Sequence, residues 1–192
     1  VEGYMDVIAL NQYGMSNIVA TLGTSVTEQH IERILNHTPV VRFCFDGDDA
    51  GVRAAWKALE TSLSKLEGDR ELKFTFLPNG HDPDTAIREY GSETFLDEGK
   101  TYTFSEYLLL TLAKELDLST DEGRTRLMAK AKPYLEKIPD ESHKNVVTRR
   151  LAQETRFDEK VIRRHLRKDF PRETASNSDL LRYSSRSLQQ QT

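Results

Sequence analysis

The sequence predicts an α/β fold, in which a mostly parallel sheet flanked by helices is followed by an all-helical subdomain. Within residues 1–100, short β-branched or aromatic runs alternate with helical patterns and turn residues, which is typical of parallel α/β units. From about residue 104 onward the strand patterns stop, and leucines recur at helical spacing. The 192 residues are enough to bury the core of a domain of ordinary size.

Hydrophobic periodicity predicts the elements of the α/β part in chain order. A short helix is expected over residues 4–12 and a second over residues 28–35, because apolar residues recur there on one face. A longer helix follows Gly51, where an apolar stripe continues for several turns. Strands are expected over residues 18–21, 40–45 and 72–77.

The later part of the chain is predicted to be helical and then irregular. Apolar stripes mark three helical stretches around residues 108–116, 127–135 and 146–151, and Ser119 is expected to cap the second. From residue 171 onward, polar residues dominate, and such a composition cannot offset the entropy lost on ordering. We therefore divide the chain into an α/β domain (residues 1–100), a helical subdomain (101–170) and a linker or disordered tail (171–192).

Composition excludes two classes of protein and indicates a compartment. No apolar run approaches the roughly 20 residues that a membrane span needs, so no membrane partner is expected. The single cysteine, Cys44, cannot form an internal disulfide, which excludes a disulfide-framed secreted module. Both points favour the cytoplasm. The chain opens on Val1 without a leader, which indicates an amino-terminally truncated segment of a longer protein.

Charge is distributed unevenly along the chain. Residues 1–100 hold nine basic and 17 acidic side chains, whereas residues 101–192 hold 18 basic and 14 acidic ones. The two parts are therefore expected to meet different partners. An acidic first part binds phosphate only if a metal ion lies between the carboxylates and the phosphate.

Acidic residues follow three strand ends. The pairs Asp46/Asp48 and Asp82/Asp84 come after the second and third predicted strands, and Glu2 follows what resembles the end of a strand at the beginning of the chain. Because the carboxyl ends of parallel strands meet at one edge of a sheet, these carboxylates are expected to converge.

Converging carboxylates call for cations. Unit charges about 4 Å apart repel by on the order of 4 kcal/mol at an effective dielectric constant of about 20. Oxygen ligands favour Mg²⁺ or Mn²⁺ over zinc, and such ions commonly serve phosphoryl or nucleotidyl transfer. Gly47 and Gly51 fit the same hypothesis, since glycine allows a close backbone approach. Taken singly, however, each acidic motif is equally typical of an ordinary turn with a helix cap.

These residues resemble those of the TOPRIM domain, a metal-binding catalytic module shared by bacterial primases, topoisomerases and some nucleases. The family pattern is a Glu after the first strand, Asp-x-Asp after a later one and, in primases, Asp-Pro-Asp after the next. The chain is similar to bacterial DnaG-type primases over roughly residues 1–166, and the similarity is concentrated in residues 2–7, 22–25, 46–51, 77–78, 82–84 and 117–124.

The resemblance implies a TOPRIM-like fold and a cytoplasmic, nucleoid- or replisome-associated enzyme that makes short RNA primers on single-stranded DNA. It implies that Glu2, Asp46, Asp48, Asp82 and Asp84 form the site for Mg²⁺ or Mn²⁺, with Glu2, Asp46 and Asp48 catalytic. Glu2 is either a ligand or the group that manages a proton. The implied partners are the DNA template, nucleoside triphosphates, the RNA primer and the replicative helicase.

The same resemblance implies parts that this sequence does not include. Zinc is expected only in an absent amino-terminal module, and the helicase is expected to bind through an absent carboxy-terminal domain. The chain alone is therefore expected to bind metal but to synthesise primers poorly or not at all.

Three alternatives stay open at this point. The chain could be another TOPRIM enzyme, such as a topoisomerase or nuclease, which differs in cleaving strands. It could be a phosphatase-like enzyme in which Asp46 attacks phosphate, although Glu2 and the Asp82/Asp84 pair would then have no role. Finally, it could be a non-catalytic interaction module whose acids only provide solubility.

Other residues have more ordinary interpretations. Residues 144–168 hold nine basic and three acidic side chains, so Arg149, Arg150, Arg163 and Arg164 are candidate nucleic-acid contacts, although a solvated helix face is the simpler interpretation. Either Ser25 or Thr27 is expected to cap the helix over residues 28–35. His81 is expected to be a solvated loop side chain, while Cys44 and Trp56 are expected to pack in the core.

Overall fold

The computed structural model describes residues 1–22, 25–97 and 101–167, with the side chain of Arg167 excepted. The helices are α1 (Tyr4–Gln12), α2 (Glu28–Leu35), α3 (Asp49–Ser62), α4 (Pro83–Tyr90), α5 (Glu93–Leu96), α6 (Phe104–Ala113), α7 (Asp121–Lys137), α8 (Glu141–Thr155) and α9 (Glu159–Arg167). The strands are β1 (Val40–Phe45), β2 (Glu71–Phe76) and β3 (Thr101–Thr103). The predicted tail over residues 171–192 and the loop residues Gly23 and Thr24 lie outside the described part.

The described strands form a mixed sheet in the order β1-β2-β3. β1 and β2 are parallel over their full length, from Val40 opposite Glu71 to Phe45 opposite Phe76. β3 pairs with β2 in the antiparallel direction through residues 101–103. The α/β class with parallel pairing and flanking helices is therefore confirmed.

One face of the sheet supports the larger core. Phe43 and Phe45 of β1 stack beside Phe74 of β2, with ring centroids 5.2 and 6.5 Å from that of Phe74. Tyr107 of α6 stacks on the same ring at 4.9 Å. These rings belong to a continuous buried cluster that also contains apolar residues of α3, α7, α8 and α9. The predicted boundary at residue 100 stays a prediction, because shared packing alone does not say whether the two parts fold separately.

The opposite face of the sheet is covered by α1 and α4. Leu10 of α1 and Ile87 of α4 are fully buried against Cys44 of β1 in a second cluster. Burial raises the pKa of the Cys44 thiol to about 12, so this cysteine is an inert packed side chain, as predicted. Because side chains alternate along β1, Phe43 and Phe45 lie on one face of the sheet and Cys44 lies on the other.

Two predictions about elements were wrong in detail. Residues 18–21 do not join the described three-stranded sheet; instead the Val1 amino group donates to the Val19 carbonyl, and the Thr21 amide donates to the Val1 carbonyl. α7 is capped by Thr120 rather than Ser119, because the Thr120 hydroxyl accepts from the Gly123 amide at 3.0 Å. The short antiparallel β3 and the helix α9 were not predicted.

Candidate metal centre

The carboxyl ends of β1 and β2 lie side by side because the two strands are parallel and in register. Asp46 follows β1 directly, and the loop after β2 passes against Gly47. A Cβ atom on Gly47 would lie 2.3 Å from the Leu77 carbonyl oxygen, and one on Gly51 would lie 2.2 Å from that of Asp46. Only glycine permits these approaches. In this structure the predicted close backbone contact is therefore made within the chain itself.

Asp46 is the half-buried centre of the acidic residues. Its pKa is raised to about 6, first by burial and then by the negative charges of Glu2, Asp48, Asp82 and Asp6. Carboxylates from the three predicted stretches thus lie close enough to act on Asp46. Asp84 is not among the groups that act on it.

Asp6 is the member of this group that sequence reasoning did not assign. It lies four residues after Glu2 in the first turn of α1, and its Oδ2 accepts from the Gly3 amide at 2.9 Å. This spacing of two acids at the beginning of a helix is the signal that would have identified it.

Most of these carboxylates accept hydrogen bonds from groups three or four residues away along the chain. Asp48 caps α3 by accepting from the Gly51 amide at 2.7 Å. Asp82 caps α4 by accepting from the Thr85 hydroxyl and amide, and these bonds lower its pKa. Asp84 lies 2.8 Å from the Arg88 guanidinium. Asp48 and Asp82 are therefore helix caps, as the simpler interpretation predicted. A capping carboxylate can still bind a metal ion through its other oxygen.

In this conformation, no three Asp, Glu, His or Cys side chains of the described residues are gathered tightly enough to hold a metal ion. The donors nevertheless fit a hard divalent cation, since all are carboxylate oxygens and none is a thiol or imidazole. The raised pKa of Asp46 gives the same indication, because a cation among the carboxylates would offset their repulsion. Their role as metal ligands stays a prediction.

His81 packs against the end of α4. Its side chain is only 21% exposed, contrary to the prediction of a solvated loop residue. The ring packs edge to face against Tyr90, and its Nε2 lies 3.3 Å from the Tyr90 hydroxyl. His81 therefore joins the loop before α4 to the end of that helix.

The four candidate nucleic-acid contacts fall into two kinds. Arg149 and Arg164 are exposed on α8 and α9. Arg150 donates to Glu106 of α6 at 2.9 Å, and Arg163 pairs with Glu159 and also donates to Asn145. Two of the four thus have acidic partners within the protein.

Comparison with known proteins agrees with this architecture. A family model described as Toprim-like matches residues 1–87, and a model described as the DnaB-helicase binding domain of primase matches residues 105–160. The DNA primase of Haemophilus influenzae is 48% identical over 154 residues, which is 80% of this chain. A crystal structure of a DNA primase domain from Pseudomonas aeruginosa superposes with a TM-score of 0.80 at 42% identity, covering 88% of this chain.

The chain belongs to the bacterial DnaG-type primase family. It spans 26% of the length of the Haemophilus primase and 53% of the Pseudomonas primase domain. It thus corresponds to the TOPRIM-containing part of a longer primase, as the resemblance implied. The second family model matches residues inside this primase segment, whereas the helicase contact was expected to lie beyond it.

No helix within the described residues of this primase segment has the length and apolar character needed to cross a membrane.

Proposed function

We propose that this chain supplies the metal-binding part of an enzyme that synthesises short RNA primers on single-stranded DNA during replication. The observation that supports this most directly is that four other carboxylates lie close enough to Asp46, at the carboxyl edge of the sheet, to raise its pKa. Membership of the primase family supports the choice of reaction over strand cleavage or covalent attack by Asp46. In cells the protein works in the cytoplasm, at the replisome on the nucleoid.

Asp46 and Asp48 hold Mg²⁺ or Mn²⁺, with Asp82 and Asp84 completing the acidic site. A bound divalent ion would neutralise phosphate oxygens and stabilise the charge that develops during nucleotidyl transfer. Asp48 keeps its second carboxylate oxygen available while Oδ1 caps α3. Asp84 would offer the metal its Oδ2, because its Oδ1 lies 2.8 Å from the Arg88 guanidinium, and the positive charge of Arg88 would make it the weakest of these ligands.

The reaction joins two nucleotides without a nucleophilic side chain. The 3′ hydroxyl oxygen of the primer bonds to the α-phosphorus of a nucleoside triphosphate, and the bond to pyrophosphate breaks. Glu2 either completes the ligand set or accepts the proton that the hydroxyl loses. Gly47 keeps the two loops close enough for acids from both strands to act together, and Gly51 lets α3 begin against the Asp46 backbone.

The proposed partners are single-stranded DNA, nucleoside triphosphates, the RNA primer and the replicative helicase. Support for DNA comes from a structure described as the DnaG primase catalytic domain bound to ssDNA, which superposes with a TM-score of 0.74 at 44% identity over 80% of this chain and 50% of that one. Support for the helicase comes from the second family model, which favours the helical part over residues 105–160 as a contact.

Arg149 and Arg164 are the better candidates for contact with the nucleic-acid backbone, because they are exposed and Arg150 and Arg163 have acidic partners. Replacing Arg149 and Arg164 with Gln is expected to weaken single-strand binding at low salt. Arg150→Gln is expected to leave that affinity unchanged. An equal loss in both proteins would contradict this assignment.

The function is tested by ribonucleotide incorporation on a single-stranded template with the complete primase. Asp46→Ala and Asp48→Ala are expected to abolish incorporation and to weaken Mn²⁺ binding measured by calorimetry. Asp49→Ala is the matched control, because Asp49 is an adjacent, exposed acid in the first turn of α3 that is not assigned to the metal site. Full incorporation by the Asp46 and Asp48 variants, or strand cleavage in place of incorporation, would overturn the proposal. The 192-residue chain alone is expected to bind Mn²⁺ with little or no incorporation.

A further inference from the structure

A pair of aromatic rings lies at the contact between α3 and α7. Trp56 and Tyr134 meet edge to face, with centroids 5.2 Å apart and an angle of 68° between the rings. Both side chains pack against the main core but are only partly buried. Trp56 was predicted to be a core residue, and part of its ring does pack against the core. The rest of the Trp56/Tyr134 pair is exposed to solvent.

Cations surround this ring pair. Arg53 lies three residues before Trp56 on α3, and Lys130 and Lys137 lie one turn before and after Tyr134 on α7, so these residues share a face with the rings. The Lys137 ammonium lies 5.3 Å from the centroid of the Tyr134 ring. All three cations are exposed.

One acid lies among these groups. Glu60 lies near Tyr134, because the pKa of the Tyr134 hydroxyl is raised first by burial and then by the negative charge of Glu60. The surface formed by Arg53, Trp56, Glu60, Lys130, Tyr134 and Lys137, named here the α3/α7 surface, therefore has more positive than negative charge although residues 1–100 are acidic overall.

We propose that the α3/α7 surface binds a single strand of nucleic acid, with a base stacked on the Trp56/Tyr134 pair and the phosphates facing the cations. Rings that any base can stack on, placed among cations, are the combination that single-strand binding uses. A duplex keeps its bases stacked on one another, so its bases are not available to these rings. The inference rests on the proposed function, which makes a single strand a substrate or product of the chain.

The position of the surface suits a strand that leaves the metal centre. α3 begins beside Asp48, and Trp56 lies eight residues further along the helix. At 1.5 Å per residue, this separation is about 12 Å along the axis. The same length corresponds to about three to four nucleotides at the rise of B-form DNA. A nucleic-acid strand bound at the carboxylates can therefore reach the Trp56 and Tyr134 rings within a few nucleotides.

Fluorescence provides a direct test, because Trp56 is the single tryptophan of the chain. Titration of the full chain with oligothymidylate or oligouridylate at low salt is expected to quench Trp56 emission saturably. The two oligonucleotides distinguish a DNA strand from an RNA strand. Quenching is expected to weaken as salt is added, since phosphate contacts contribute to the affinity. A duplex of the same length is expected to quench less.

Variants separate stacking from charge. Tyr134→Leu is expected to weaken oligonucleotide binding about fivefold or more, which is the lower end of the loss for one stacked base. Tyr134→Phe keeps the ring and is expected to bind nearly normally. Lys130→Glu with Lys137→Glu is expected to weaken binding more at low salt than at high salt. Lys114→Glu, an exposed cation at the end of α6, is the matched charge control.

The outcomes distinguish this surface from the proposed function. Two results would overturn the proposal that the α3/α7 surface binds nucleic acid: no quenching by either oligonucleotide, or equal effects of the α7 charge reversals and Lys114→Glu. A protein partner would then be the remaining occupant of the surface. If Mn²⁺ binding and its dependence on Asp46 persist in that case, the proposed function stands. If quenching persists in Asp46→Asn while Mn²⁺ binding by the unchanged chain is absent, the surface stands and the metal centre fails.

Discussion

The Asp46 carboxylate lowers the stability of the metal-free protein, although the proposed chemistry requires it. Folding places this carboxylate in a half-buried position among other acids, and its pKa rises from 3.8 to about 6. The native state therefore binds more protons than the unfolded state between these values. Consequently, this residue's contribution to the free energy of unfolding falls as pH rises through that window and stays low above it.

We expect Asp46→Asn to stabilise the metal-free chain at pH 7. The variant has no charge to repel, so the free energy of unfolding is expected to rise by about 1 kcal/mol after allowance for solvent screening. The gain is expected to shrink towards pH 4, where the native carboxyl is itself protonated. Urea unfolding at both pH values measures the difference.

Mn²⁺ is expected to reverse that order, because an ion that binds only the folded native chain stabilises it. Glu115→Gln, which removes an exposed charge at the end of α6, is the control and is expected to change little at either pH. A variant that is no more stable than the native chain at pH 7 would show that the carboxylates do not repel one another appreciably.

Gly47 is the residue on which the meeting of the two acidic loops depends. We expect Gly47→Ala to lower the free energy of unfolding by about 2–3 kcal/mol, since its Cβ would lie 2.3 Å from a backbone oxygen and the loops would have to separate. Mn²⁺ affinity is expected to fall as well. Urea unfolding and calorimetry measure the two effects.

Gly80 offers the comparison for Gly47. It has φ near +82°, and a Cβ atom added there would meet open space, so Gly80→Ala is expected to cost only about 1 kcal/mol of backbone strain. It is also expected to leave Mn²⁺ affinity unchanged. Equal effects of the two substitutions on Mn²⁺ binding would indicate that contact between the loops does not matter to the site.

At the scale of elements, local patterns predicted α1, α2 and β1 with the bounds that the structure has. The apolar residues of α2 are periodic, β1 is a β-branched and aromatic run, and Gly14 stops α1, so no distant contact is needed to recognise them. β3 was missed because three residues are too few to show alternation, and its strand character comes from pairing with β2. Only the folded chain defines such an element.

The same distinction applies to the candidate site. The positions of Asp46 and Asp82 near one sheet edge were predictable, because parallel strands bring their carboxyl ends together. No described strand precedes Glu2, so the same argument does not explain its position. The pairing of Arg150 with Glu106, 44 residues away, was not predictable, since it depends on how α8 packs against α6. Charge density along a sequence therefore overestimates the number of cations available to nucleic acid.

Glu106 joins two elements through one carboxylate. Oε2 accepts from the Thr103 amide and hydroxyl at the beginning of α6, and Oε1 accepts from Arg150 of α8. Burial pushes its pKa upward, but the bonds from Thr103 and the charge of Arg150 outweigh burial and lower it. The stabilising contribution is therefore present at neutral pH and is lost as pH falls through the lowered pKa.

We expect Glu106→Gln to lower the free energy of unfolding by about 1 kcal/mol at pH 7, and by less in acid. A double-mutant cycle with Arg150→Gln is expected to give a coupling of about 0.5–1 kcal/mol, since both side chains are about one third exposed. Arg149→Gln, one residue away and exposed, is the control and is expected to couple with Glu106 negligibly.

At the scale of the whole molecule, the shared core decides how the α/β and helical parts unfold. Phe74 of β2 and Leu151 of α8 are both fully buried in one continuous cluster. Separating the two parts would expose apolar surface on each, at a cost of roughly 25 cal/mol per Å². Packing of this kind favours a single cooperative transition over stepwise unfolding.

We therefore expect urea unfolding followed by Trp56 fluorescence, which reports on α3 and α7, to coincide with unfolding followed by far-ultraviolet circular dichroism. Leu151→Ala is expected to shift both transitions together by about 2–5 kcal/mol, although Leu151 is distant in sequence from the sheet. Ala129→Gly on the exposed face of α7 is a local control, expected to cost only about 1 kcal/mol. Two separated transitions, with Leu151→Ala moving only one, would instead establish residues 1–100 and 101–170 as independent folding units.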